Sequence, residues 1–215
     1  MTLPLAEFLA VWGFLAVNIL SPGPNVINTI ATAMGGGARA GLASALGVGL
    51  GIGGWCLGMS LGVAALFAAV PGSEAALTAV ATGLLVWFAL RYLRTAWEGW
   101  SGHRRGLPAR LPQDGFRSAF LRSLAVNALN PKALTTWLAV LAIFPVARAA
   151  AGDIAVLWAG TAVLATAIHA AYALAFATPV AARFYLRAGW IVSAAAGLFF
   201  ATVAATLARG LLQNL

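Results

Sequence analysis

Apolar positions run through this chain in six long stretches, at residues 5–34, 42–70, 75–96, 119–146, 154–179 and 188–207. Each can cross a bilayer hydrocarbon layer of about 30 Å as a helix of about 20 residues. Lipid offers backbone N–H and C=O groups no partner, so all six are predicted to be helices. The fold class is therefore all-α: a polytopic protein of six transmembrane helices in one integral membrane domain. Three spans fall in each half, giving a first three-helix repeat over 1–97, a basic loop over 98–117 and a second three-helix repeat over 118–215.

The pattern is broken twice, at matching places. Residues 15–22 read LAVNILSP and residues 124–131 read LAVNALNP, identical at six of eight positions. Proline inside a helix removes a donor and crowds the carbonyl four residues back. That carbonyl belongs to Asn18 in one copy and to Asn127 in the other, so an asparagine amide accompanies each freed group. Helices 1 and 4 are thus predicted to be broken. Because three spans separate the copies, the second enters the membrane from the opposite side and the repeat is inverted. Interrupted helices at corresponding positions of inverted repeats mark a midplane binding site. Counting from Arg122 at 1.5 Å per residue, Pro131 lies about 14 Å into the membrane.

Ser21-Pro22 and Asn130-Pro131 each read as an N-cap followed by proline at the first position of a new half-helix. Such an N-terminus carries unpaired N–H groups and the positive end of the helix dipole, which suits an anion. Gly23 allows close approach of a ligand, Pro24 frees the carbonyl of Leu20, and Asn25 follows in the same segment. Lys132 falls in the first turn of the second half-helix, where the dipole disfavours a cation. An intramembrane charge marks function by default. Two readings stand: Lys132 meets an anionic ligand group, or it is a structural lysine bonded to backbone carbonyls. The candidate binding residues are Asn18, Ser21, Pro22, Gly23, Pro24, Asn25, Asn127, Asn130, Pro131 and Lys132.

Composition agrees with the pattern, with 62% hydrophobic and 8% charged residues and a mean hydropathy of +0.92. The net charge of +8 is unevenly placed. Ten arginines, among them Arg39, Arg91, Arg94, Arg117 and Arg122, fall on one side of the six-span arrangement, and Arg148 and Arg209 fall on the other. Basic residues favour the cytoplasmic side, which puts the 98–117 loop inside and both termini in the periplasm. The basic loop is read as a topology signal and a contact with membrane lipids, with no nucleic-acid role. The first apolar run is too long for a signal h-region and lacks a basic n-region, so it is expected to stay as a true first span. The single cysteine, Cys56, allows no internal disulfide.

Ser-Pro-Gly-Pro in the first span, Asn-Pro-Lys in the fourth, a glycine-rich second span and a basic loop after the third together resemble the lysine exporter (LysE/RhtB) family. The resemblance covers nearly the whole chain. It implies a six-span secondary transporter that exports amino acids across the bacterial inner membrane, driven by the ion gradient. Ser-Pro-Gly-Pro, where lysine and arginine exporters tend to show Pro-Leu-Gly-Pro, resembles the homoserine/threonine-exporter branch. Many relatives carry an aspartate in the fifth span; this chain has Ala165, Thr166 and His169 there. His169 is the candidate for proton coupling, with a helix-to-helix hydrogen bond as the alternative reading. Glycines 47, 49, 51, 53, 54, 58 and 62 serve close packing within the bundle or, alternatively, a homodimer interface. No enzyme activity, cofactor or metal is expected. The competing reading is a membrane scaffold or a thiol- or metal-handling relative, although one cysteine and two distant histidines form no ligand cluster.

Overall fold

A computed structural model describes residues 2–70, 73–101 and 113–213, and every regular element among the described residues is a helix, with no strand. The order is α1 (Leu5–Leu20), α2 (Pro24–Ala69), α3 (Ser73–Trp100), α4 (Phe116–Ala128), α5 (Pro131–Ile143), a 3-10 turn (Val146–Arg148), α6 (Ala151–Phe176) and α7 (Pro179–Gln213). Four stretches are long and apolar enough to cross a membrane: Pro24–Val63, Ala75–Trp100, Ala151–Phe176 and Gly189–Gln213. Leu5–Leu20 and Lys132–Ile143 are shorter apolar helices. Most of the expected 98–117 loop lies outside the described residues.

α2 is not straight. Gly37 has φ 75° and ψ −177°, a region that side chains other than hydrogen rarely enter. The chain reverses there: the hydroxyls of Thr29 and Ser44, 15 residues apart, lie at 3.0 Å, where a straight helix would separate them by about 22 Å. A first arm over 24–36 and a second over 38–69 therefore form a tight hairpin, consistent with two expected spans meeting near residue 37.

The expected boundaries of the fifth span shift at both ends. The fifth helix starts at Ala151 and stops at Phe176, short of residue 179, because Pro179 opens α7 and the residue before a proline resists the α conformation. Asp153 caps the start of α6, accepting from Ala150 N at 3.0 Å; it also accepts Thr2 N at 2.8 Å, Leu3 N at 3.3 Å and the Thr2 hydroxyl. The beginning of the chain is thereby held against α6.

α2 packs mainly on α6 and α4, α3 packs on α7, and α1 with α5 lies between these groups. Helix association in lipid depends on fit between surfaces rather than on water exclusion, and the glycines of the second α2 arm supply that fit. A Cβ on Gly51 would sit 2.6 Å from Asn127 Oδ1, one on Gly53 would sit 2.9 Å from Trp158 Nε1, and at Gly47 and Gly49 it would come closer still, to Phe120 O of α4 and the Thr166 hydroxyl of α6. Gly54, Gly58 and Gly62 meet nothing within 4 Å. Phe14, Phe88, Tyr92 and Phe200 form an aromatic cluster joining α1, α3 and α7, with ring centroids 5.5–5.7 Å apart around Phe200.

Candidate functional site

Both expected breaks are present. α1 ends at Leu20, and Ser21 is extended at φ −73°, ψ 142°. Ser21 and Gly23 each precede a proline, which keeps both out of the helical region. The new helix therefore begins at Pro24, not at Pro22. This corrects the expectation that Ser21 would cap it: Ser21 closes α1 instead, its hydroxyl donating to the Asn18 carbonyl at 2.5 Å. At the second break the expectation holds. Asn130 is the N-cap, its side chain accepting from Lys132 N at 3.0 Å, and Pro131 takes the first helical position.

The three carbonyls freed by proline are each taken by a side chain from the other half of the chain. Lys132 Nζ donates to Asn18 O at 2.8 Å, Tyr172 OH donates to Leu20 O at 2.8 Å, and Trp55 Nε1 donates to Asn127 O at 3.3 Å. Asn18 O and Asn127 O also accept from Ser21 N and Asn130 N at 3.2 and 3.1 Å; an unpaired carbonyl at membrane depth is costly, and Tyr172 supplies the donor for Leu20 O.

Lys132 resolves its own electrostatic conflict by length. Its backbone is in the first turn of α5, but its side chain crosses over Gly23, where a Cβ would come within 3.3 Å of it. The ammonium thus arrives at the last turn of α1, the negative end of that helix. There it also meets Ser21 Oγ at 3.0 Å and Ser21 O at 3.3 Å, and it lies 5.4 Å from the centre of the Tyr92 ring. Tyr92 OH is 2.9 Å from Ser21 Oγ and donates to Pro22 O at 3.4 Å.

Between the breaks lies a cavity of about 40 Å³, room for a few waters. Asn18, Gly23, Pro24, Asn25, Asn127, Asn130, Lys132 and His169 line it together with apolar Leu15, Ile19, Ile52 and Trp137. The first turns of α2 and α5 both open on it. Ser21 and Pro22 stand behind this lining, and Pro131 contributes the start of α5. Asn18 Nδ2, Asn25 Oδ1 and both amide atoms of Asn127 are buried without a hydrogen-bond partner.

His169 is buried, and its Nδ1 is 2.9 Å from the Thr29 hydroxyl. From Thr29 the polar path continues to Ser44 at 3.0 Å and on to Ser123 at 2.7 Å. Asn28 joins it by donating to Ser123 at 2.7 Å and accepting from Arg122 Nε at 3.1 Å. Arg122 in turn bonds Thr32 at 2.5 Å and pairs with Asp114. Thr29, Ser44, Ser123, Tyr92, Tyr172 and Trp55 were not among the expected site residues. Asn28, Thr29 and Thr32 do carry a signal, being polar positions one helical turn apart in an apolar run. Among the described residues no group of three or more His, Cys, Asp or Glu is placed to hold a metal, and Cys56 is buried and free.

Residues 16–211 match the family model described as LysE type translocator. The chain belongs to the LysE type translocator family. The match begins within α1 and takes in both breaks, the α2 hairpin and every cavity-lining residue named above except Leu15. No curated protein and no solved structure matches the chain.

Proposed function

We propose that this translocator exports small amino acids or close derivatives from the cytoplasm across the bacterial inner membrane, coupled to an ion gradient. The observation carrying this reading is the set of unpaired amide atoms at the cavity. A buried polar atom left unsatisfied costs about 1–3 kcal/mol, and here both donors (Asn18 Nδ2, Asn127 Nδ2) and acceptors (Asn25 Oδ1, Asn127 Oδ1) are left so. A zwitterion needs both: its carboxylate suits the amide donors and the two half-helix N-termini, and its ammonium suits the amide oxygens. Lys132 adds positive charge from behind the first break. The apolar wall and small volume favour a short, uncharged side chain, and no acid lines the cavity to receive a cationic one. This fits the homoserine/threonine-exporter branch.

In this reading the bundle is an inverted three-plus-three repeat, 1–97 and 118–215, with the 98–117 loop cytoplasmic and both termini periplasmic. A homodimer would use the open Gly54, Gly58 and Gly62 face. His169 couples transport to the proton gradient, facing Lys132 across the cavity and Tyr172 on its own helix, and reaching Arg122 and Asp114 through the hydroxyl path.

The test is a resistance screen. A bacterium sensitive to amino-acid analogues and expressing the protein should survive a subset with small neutral side chains, and Asn127→Ala should abolish that survival at unchanged membrane abundance. Failure of the whole panel, with the protein verified in the membrane, would remove amino-acid export.

A further inference from the structure

The Lys132 ammonium donates its hydrogen bonds to oxygen alone. Its three N–H bonds have three partners, Asn18 O, Ser21 Oγ and Ser21 O, at 2.8, 3.0 and 3.3 Å, and the face of the Tyr92 ring adds a cation–π contact. Among the described residues no carboxylate pairs with it. Lysine has only three such donors, so none remains to bond a ligand carboxylate while this arrangement lasts. The shell consists of backbone carbonyls at the C-terminal end of an interrupted helix together with one hydroxyl. In transporters with broken helices, unwound carbonyls and half-helix C-termini of this kind coordinate the driving cation.

We propose that Lys132 is a tethered monovalent cation. Its ammonium permanently fills an ion site formed by the break after α1, a site that would otherwise hold a free alkali ion. Three features fit a built site rather than a chance contact. Pro22 denies the Asn18 carbonyl its amide donor four residues on, and that oxygen turns to Lys132 alongside the Ser21 amide and hydroxyl. Gly23 leaves the groove through which the tether passes, since a Cβ there would come within 3.3 Å of both Lys132 Cδ and Nζ. Ser21, an oxygen-bearing residue, occupies the position that closes the shell and is itself fully buried. It follows that no sodium or potassium ion enters this break in the native chain, and that removing the tether creates a place for one. The proposal goes beyond the amino-acid reading and does not depend on it.

The experiment uses the full chain, purified in detergent, as native protein, Lys132→Ala and Lys132→Ala/Ser21→Ala. Thermal unfolding is followed in choline chloride and, at equal ionic strength, in sodium, potassium or methylammonium chloride. The native protein should melt at one temperature in all four. Lys132→Ala should melt lower in choline and recover by about 3–5 °C, saturably, in at least one of the small cations; Ser21→Ala should reduce that recovery. A folded Lys132→Ala that is blind to all three cations would overturn the proposal, as would a saturable sodium or potassium effect on the native protein. If Lys132→Ala is not recovered folded, Lys132→Gln, whose amide leaves part of the shell open, is measured with the same two outcomes. Amino-acid binding by the native protein is scored separately. Its absence alongside the cation response would sink only the export reading, whereas an ion-blind variant beside normal amino-acid binding would sink only the tethered cation.

Discussion

At the scale of single residues, the site sets ligand binding against stability. Asn127 is fully buried, pressed against Gly51, with neither amide atom paired. Replacing it with alanine removes two unsatisfied groups and no hydrogen bond of its side chain. Asn127→Ala should therefore unfold at the same temperature as the parent or a few degrees higher while export falls to background; a variant that lost several degrees would show that the amide has a structural partner. Tyr172→Phe should behave in the opposite sense, leaving Leu20 O without its side-chain donor at a cost of about 1 kcal/mol, measurable as a lower melting temperature. The two kinds of residue differed in how visible they were beforehand. Asn18, Asn127 and Lys132 stand out in sequence because they are polar in apolar surroundings and belong to the repeated motif. Tyr92, Tyr172 and Trp55 do not, because aromatic residues abound in membrane helices and only the packing of α3, α6 and the second α2 arm against the breaks shows which of them is a donor.

At the scale of the element, proline and glycine did most of the writing. The Asn130-Pro131 start was legible to the residue, since cap and proline are adjacent and no second proline competes. Ser-Pro-Gly-Pro was legible as a break but misleading as a start: two residues in succession precede prolines, and the helix waits for Pro24. The turn between the first two spans was legible as a gap over residues 35–41, but its pivot was not, because three consecutive glycines, 35–37, give no indication of which one turns. Its local geometry makes a clean test. A Cβ on Gly37 would touch nothing within 4 Å, so Gly37→Ala isolates backbone strain from crowding. It should cost about 1–3 kcal/mol, lowering the melting temperature, whereas alanine at the equally uncrowded Gly54, which has no positive φ, should have little effect. Equal effects at both positions would mean that the chain does not turn at Gly37.

At the scale of the molecule, orientation remains the most direct prediction. From the arginine asymmetry, Ser101 is expected inside and the C-terminal end outside. In a Cys56→Ser background, an impermeant thiol reagent applied to intact cells should label a cysteine at Gln213 and spare Ser101→Cys; the reverse pattern would invert the whole arrangement. The repeat that suggested this layout was readable from eight residues, but how the halves engage was not, for that depends on contacts between distant segments. Those contacts are reciprocal. The first half's freed carbonyls, Asn18 O and Leu20 O, are stoppered by Lys132 and Tyr172 from the second, and the second half's Asn127 O by Trp55 from the first. Each of these three donors therefore ties together segments that lie 72 to 152 residues apart in the chain, so loosening any one of them loosens the seam between distant parts of the bundle.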